Sequence, residues 1–246
     1  MTKLTTSSPP KAEILPLLDE RLTVQIWSDI VCPWCWIGIT RLSRALRDFP
    51  NIDQVKVTHH AFRLMPGMKP RPVEEVLSEK TRSSRTSAEA MMHQVEQVAA
   101  ADGLSYKLSG TLNGDTYDAH RIIKLAQQRG RGHEILESFY LGYLSEHASV
   151  FDKDSLIALS VRAGLDASEV ADVLDSHRFA EELDADQREL QSLGGNGVPF
   201  FLIGGRYAIS GAQPETIFAQ ALHQAWQDRP LKIADGAVCG PDGCAI

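Results

Sequence analysis

Cys32-Pro33-Trp34-Cys35 constrains this chain more than any other stretch, because two thiols three residues apart stand between a strand-like and a helix-like segment. Upstream, Leu22, Val24 and Ile26 alternate with Thr23 and Gln25 before Trp27 and Ser28, a pattern rich in β-branched and aromatic residues that predicts a strand. Downstream, Ile39, Leu42, Ala45, Leu46 and Phe49 recur at helical spacing until Pro50 stops the pattern. The dithiol therefore opens a helix. Pro33 suits the first helical position, where a missing N–H costs nothing, and this leaves Cys32 near the N-cap. Free backbone N–H groups and the positive end of the helix dipole are then expected to face the Cys32 sulfur and favour its thiolate. Cys32 is the expected nucleophile. Cys35, one turn further in, is the expected resolving thiol. Asp29 reads as an ordinary polar residue at a strand end.

The chain has 246 residues, enough for a sizeable core without disulfide staples. Its four cysteines fall in two close pairs far apart in sequence, which suggests function rather than scaffolding. A formal charge of −7 with no basic block argues against a nucleic-acid partner. Proteins or small thiols fit better. Residues 1–20 carry only the short apolar run Ile14-Leu15-Pro16-Leu17-Leu18, less than the roughly 7–15 apolar residues of a signal peptide. No run approaches the roughly 20 apolar residues of a membrane span. These features predict a flexible N-terminal tail, no membrane partner and a cytoplasmic location, where disulfides tend to be transient or catalytic. No cofactor is expected.

Val55 to Phe62 reads as a second strand, giving a strand, helix, strand unit with the dithiol at its first turn. That is the sequence signal for a thioredoxin-like redox fold. From Pro66 to about Ala180 the chain is predicted helical almost throughout. Thr86 and Glu89 form a candidate capping box for a helix carrying Met91, Met92, Val95, Val98 and Ala99, with both methionines in its core. Further helices carry Ala119 to Ala126, Ile135 to Leu144, then Leu156, Leu159 and Val161, and, behind a second box at Asp166 and Glu169, Val170 to Leu174. A helix with Phe179, Leu183, Leu190 and Leu193 leads to Gly194-Gly195-Asn196-Gly197, and two strands around Gly204-Gly205 read as a hairpin. A last helix covers about Pro214 to Trp226. The expected architecture is α/β, a thioredoxin-like fold with a large all-helical insertion domain. Residues 21–64 and 180–232 form the thioredoxin-like part, 65–179 the insertion, and 233–246 a flexible tail holding the second cysteine pair.

Ser28-Asp29-Ile30-Val31-Cys32-Pro33-Trp34-Cys35-Trp36-Ile37-Gly38, Gly197-Val198-Pro199-Phe200-Phe201 and Tyr207 to Gln213 together resemble the FrnE-like branch of the DsbA family, over about residues 21 to 227. The resemblance implies a thioredoxin fold interrupted by helices and a thiol-disulfide oxidoreductase activity. By it, Val198-Pro199 corresponds to a cis-proline loop facing the dithiol. From the residues alone, cis and trans are equally open. A proline there offers no N–H to the nucleophilic sulfur, and the Val198 backbone is placed to pair with an extended substrate. Within Asp115-Thr116-Tyr117-Asp118-Ala119-His120-Arg121, Asp115 stands where the family commonly has asparagine, and a carboxylate cannot replace an amide donor. His120 reads as a packed or capping residue.

The implied partners are protein disulfides or dithiols, with glutathione or a thioredoxin-type reductant to recycle the enzyme. Trp34 and Trp36 flank the pair as candidate substrate-binding residues, although Trp36 fits a core position equally well. Cys239 and Cys244 enclose the turn-forming Gly240-Pro241-Asp242-Gly243. Thirteen residue steps from Trp226 to Cys239, at roughly 3.3 Å each, span about 40 Å, enough to reach Cys32 and Cys35 as an auxiliary redox pair. Two other readings stand beside this one. All four cysteines have spacings that suit a structural zinc site, against which Trp36 continues the helix where a zinc knuckle turns. A glutathione-dependent isomerase of a small aromatic compound shares the architecture but typically carries serine where this chain keeps both cysteines. His59 and His60, adjacent on a strand, point to opposite faces and do not suit one metal.

Overall fold

The computed structural model describes residues 21–229 and, by backbone alone, Cys239–Gly240 and Gly243–Cys244. The expected tail 1–20, and the remainder of the expected tail 233–246, lie outside the described residues.

Strand β1 (Leu22–Ser28) runs parallel to β2 (Val55–Ala61), with Leu22 opposite Val55 and Ser28 opposite Ala61. Helix α1 (Pro33–Arg47) connects them. Strand β1 is apolar along one face and, on the other, carries the half-buried Thr23 and Gln25 before the buried Trp27. Its even-numbered residues Leu22, Val24 and Ile26 join Leu42 and other α1 residues in the main core, whereas Trp27 faces the other way into a smaller cluster with Leu190, Phe200 and Leu202. The Trp27 indole N–H, which cannot be left unpaired when buried, donates to the Asp186 carbonyl at 2.9 Å.

The insertion follows β2. A two-residue strand β3 (Arg71–Pro72) leads into α2 (Val73–Thr81) and α3 (Arg85–Ala101). Strand β4 (Leu112–Asn113) pairs antiparallel with β3, and α4 (Tyr117–Gln128), α5 (Gly132–Glu146), α6 (Lys153–Arg162) and α7 (Ala167–Leu174) complete it. Helix α8 (Ala180–Ser192) returns to the sheet. Strands β5 (Phe200–Ile203) and β6 (Tyr207–Ser210) then form the hairpin, and β5 pairs antiparallel with β1 to give the order β2-β1-β5-β6. Helix α9 (Glu215–Gln227) packs beside α1, its Phe218 ring 4.8 Å from Phe201 in an edge-on arrangement. The short pairs β7 (Cys239–Gly240) and β8 (Gly243–Cys244) place Cys239 and Cys244 directly opposite in an antiparallel ladder.

The α/β, thioredoxin-like architecture with a helical insertion is thus the observed fold. Several details differ from expectation. Helix α3 is capped two residues before Thr86, because the Ser84 hydroxyl accepts the Ser87 N–H at 3.2 Å, and Glu89 pairs with Arg85 one turn back instead of closing a box. Asp166 does cap α7, accepting from the Ser168 and Glu169 N–H groups, but the Glu169 side chain is drawn to Arg129. The insertion is less continuously helical than its periodicity suggests, since residues 104–116 form a loop broken only by β4. Met91, Val161 and Leu193, read as core residues, are exposed. For Met91 the reason is angular: adjacent helical residues point about 100° apart, so Met92 takes the core and Met91 cannot.

Candidate active site

Chain direction places the dithiol. After β1 a buried turn, Asp29-Ile30-Val31, carries the Cys32 N–H to the Asp29 carbonyl at 3.1 Å, and Cys32 becomes the N-cap of α1 with Pro33 following. The Cys35 N–H donates to the Cys32 carbonyl at 3.0 Å. Both sulfurs are free thiols; Cys32 is 6 % exposed and Cys35 not at all. The expected contact between helix N–H groups and the Cys32 sulfur is absent, since no side-chain cap forms. With Pro33 lacking an N–H and Cys35 using its own on the Cys32 carbonyl, Cys32 Sγ instead lies 3.8 Å from the Val198 carbonyl oxygen.

Val198-Pro199 is a cis peptide bond. It faces the dithiol because α1 approaches it closely at Gly38, where a Cβ would stand 3.0 Å from the Phe201 ring and 3.2 Å from Pro199 Cγ. Arg41 secures the same approach, donating to the Ala212 carbonyl at 2.7 Å and to Asp102 at 2.9 Å.

Two different environments meet at the pair. In front of Cys32 lies a groove of about 440 Å³ between α1, α2 and α3, with Leu64, Met65, Val76, Leu77 and Met92 along it and Lys80 as its cation. Trp34, 40 % exposed, and Met91 stand on its wall. Trp36 does not line the groove. It is half-buried, its ring stacked on Tyr140 at 4.9 Å between centroids.

Beneath Cys35 the surroundings are polar and closed. Asp29, read as an ordinary strand-end residue, has no exposed surface. Its Oδ2 accepts the Leu64 N–H at 2.7 Å, its Oδ1 accepts the Thr116 hydroxyl at 2.6 Å, and its carbonyl accepts the Tyr140 hydroxyl at 3.0 Å. His120 Nε2 stands 3.4 Å from Oδ1 and makes no hydrogen bond. Burial pushes the Cys35 thiol well above its usual range, and the hydrogen bond and charge of Cys32 act in the same direction. The Asp29 backbone N–H opposes them, while its carboxylate adds to them. Cys35 is therefore held as the thiol. Burial likewise raises the phenols of Tyr106, Tyr140 and Tyr143.

Asp115 is spoken for. It accepts from the Arg63 guanidinium at 3.0 Å and from the Gly67 and Tyr117 N–H groups at 2.6 and 3.1 Å, so a carboxylate suits this loop where an amide would meet only donors. His59 and His60 do face opposite ways. His59 lines an apolar cleft of about 800 Å³ at the outer edge of β2, away from the thiols, and burial with neighbouring His133, His60 and Lys124 lowers its pKa to about 3. His60 stacks on Trp27 and, with Asp186 and Glu189, forms the one cluster of metal-ligand types among the described residues. Asp186 is already occupied there by His60 Nδ1 at 2.8 Å, the Ala61 N–H at 2.6 Å and Lys124 Nζ at 2.5 Å. The side chains of Cys239 and Cys244 lie outside the described residues.

Residues 23–223 match the family described as the DSBA-like thioredoxin domain. A probable DsbA oxidoreductase from Streptomyces coelicolor is 45 % identical, superposes with a TM-score of 0.82, and is matched over 92 % of this chain and 99 % of its own. An uncharacterised Bacillus subtilis protein, YwbO, is 23 % identical over 209 residues, covering 81 % of this chain and 94 % of that one. The cytosolic disulfide reductase DsbM of Pseudomonas aeruginosa, solved with glutathione, shares the fold at 17 % identity and a TM-score of 0.60, over 84 % of this chain and all of its own. Together with a buried dithiol at a helix start opposite a cis-proline, the matched span covers the whole described fold apart from its ends, and the chain belongs to the DsbA-like thioredoxin-domain family of oxidoreductases.

Proposed function

We propose that the protein exchanges thiols and disulfides through Cys32 and Cys35, reducing or isomerising disulfides in protein substrates. One observation carries this reading: a thiol at the start of α1 lies against the Val198 carbonyl, with a second, fully buried and protonated thiol one turn behind it. The Cys32 sulfur attacks one sulfur of a substrate disulfide, forming a mixed disulfide and releasing the other substrate sulfur. The Cys35 sulfur then attacks Cys32, the Cys32–substrate bond breaks, and the Cys35 proton leaves with the second substrate sulfur. A third thiol attacking the mixed disulfide instead gives isomerisation. Run in reverse, the same steps oxidise a dithiol, so direction follows the potential, about 30 mV per tenfold in equilibrium.

An extended peptide reaching Cys32 meets the Val198 backbone on one side and Trp34 with the apolar groove on the other, which favours a protein substrate. Trp36 supports α1 from behind through its stacking on Tyr140. A cytoplasmic location and recycling by glutathione or a thioredoxin-type protein fit this reading, and DsbM, a cytosolic reductase of the same fold solved with glutathione, makes glutathione the first recycling partner to try. Among the described residues no helix is long and apolar enough to cross a membrane. Cys239 and Cys244, opposite one another in a two-residue ladder, suit an auxiliary pair that exchanges electrons with the first. We place the insertion domain at 65–179, where α2 to α7 lie.

The test is substitution of each thiol. Cys32→Ser should abolish insulin reduction with the fold intact, while Cys35→Ser should trap mixed disulfides. Wild-type turnover by Cys32→Ser would overturn the proposal. Cys239→Ser with Cys244→Ser should slow recycling and leave the first half-reaction intact; unchanged recycling would remove the auxiliary pair from the account.

A further inference from the structure

The groove in front of Cys32 is lined by apolar side chains and a few neutral polar ones, and among the described residues Lys80 is the one ionised side chain along it. Three methionines, Met65, Met91 and Met92, lie on its walls. Their unbranched, polarisable side chains adapt to many apolar shapes, so the walls call for a bulky apolar residue without choosing which. Selection must then come from Lys80. It stands exposed in the last turn of α2, and among the described residues it has no carboxylate partner. The acids of its own helix are drawn elsewhere. Arg71 holds Glu79 at 2.6 Å and Glu75 at 3.4 Å, while Glu74 accepts the Ser109 hydroxyl at 3.0 Å and the Gly110 N–H at 2.9 Å. A cation in a last helical turn is favoured by the helix dipole wherever it points. This one lines the same groove as the attacking sulfur, on a chain whose formal charge of −7 would otherwise repel an acidic partner.

We propose that Lys80 is a specificity-determining residue: among extended, disulfide-bearing protein segments it selects those with an aspartate or glutamate a few residues from the cysteine and a bulky apolar residue to fill the methionine-lined groove. This rests on the dithiol chemistry proposed above. In each turnover the Cys32–Cys35 bond forms, the substrate S–S bond breaks, and two electrons and two hydrogens pass to the substrate sulfurs. Lys80 takes no part in that exchange. Its charge acts on which segment stays in the groove while Cys32 attacks: a carboxylate is drawn to the ammonium, and a lysine or arginine at the same place is repelled. An exposed pair of this kind is worth at most about a fivefold difference, and salt screens it.

The experiment is single-turnover reduction, by the reduced full chain, of symmetric disulfides of extended peptides carrying one cysteine, one leucine and one variable residue. That residue is aspartate, asparagine or lysine, and it is moved through successive positions on either side of the cysteine. At the position that reaches Lys80, the aspartate peptide should be reduced about fivefold faster than the asparagine peptide at low salt, and the lysine peptide about fivefold slower. Both differences should shrink in about 1 M salt. Lys80→Gln should bring the three rates together, and Lys80→Glu should reverse their order. The readout is a ratio between peptides within one variant, so a change in folded fraction or in thiol reactivity cancels. Equal rates for the three peptides at every position, or an order that survives Lys80→Glu, would overturn the proposal. The neutral bis(2-hydroxyethyl) disulfide offers Lys80 nothing to select and separates the two levels of the account. A wild-type protein that reduces neither it nor any peptide defeats the dithiol reading itself, whereas one that reduces it and shows no preference for aspartate defeats only the role of Lys80.

Discussion

The surfaces in front of Cys32 and beneath Cys35 lie one helical turn apart and are built on opposite principles. The front is an apolar groove open to solvent, walled by Trp34 and Met91 and furnished with one cation, Lys80. The floor is closed, polar and stitched by hydrogen bonds from Leu64, Thr116 and Tyr140 to a single residue, Asp29. Affinity for a substrate can be spent at the front without touching the thiols, while the floor sets the protonation of Cys35 without touching the substrate. A dithiol enzyme needs both functions and keeps them apart: recognition requires side chains that adapt, whereas control of a proton requires a fixed, water-free environment.

The contrast can be broken most severely at the thiols. Cys32→Ser should cost more than about a thousandfold in disulfide turnover, since it removes the attacking thiol, whereas Cys35→Ser should still perform the first attack and accumulate one mixed disulfide per chain by mass spectrometry. A variant confined to the groove sharpens the comparison. Met91→Glu, at an exposed wall position, should slow reduction of protein disulfides about tenfold, near 1.4 kcal/mol, and leave reaction with a small disulfide and the Cys35 titration unchanged. Loss of activity toward both substrates would show that groove and floor are not separate.

The smallest effect on turnover is expected where α8 packs against β2, and there the readout is stability. Asp186 is held below the usual carboxylate range by His60, Lys124 and the Ala61 N–H, which outweigh the burial that would raise it. A carboxylate depressed in the folded state contributes stability above its unfolded value, near 3.9, and that stability is lost as pH falls through the folded value. Asp186→Asn should therefore lower stability at pH 7 by about 1–3 kcal/mol and flatten its fall below about pH 4, as followed by urea denaturation. An unchanged acid limb would mean that Asp186 does not hold α8 to β2 through its charge.

What could be seen in the sequence was what is local. The alternation of Leu22, Val24 and Ile26, the spacing of Ile39, Leu42 and Phe49, and Pro33 at the helix start place the dithiol correctly because each acts within a few residues. The cis bond before Pro199 came from the resemblance, since the residues themselves allow either isomer. What stayed hidden depends on distant packing. Nothing near Asp29 announces that Thr116 and His120, from a helical insertion, close over it. The Cys32 sulfur turns to the Val198 carbonyl and away from helix N–H groups because two far segments meet at Gly38. Met91 and Met92 have the same composition, and only the rotation of α3 against α1 makes one a core residue and the other a groove wall.

The central claim is that Cys32 and Cys35 act as one two-electron couple. Alkylation and mass mapping of the reduced and oxidised thiols across a series of glutathione buffers tests it most directly. The account predicts that Cys32 and Cys35 become protected together, at a single potential and with the loss of two hydrogens from the peptide that carries them. Independent protection of the two, or a Cys32 that stays alkylatable in every buffer, would contradict it.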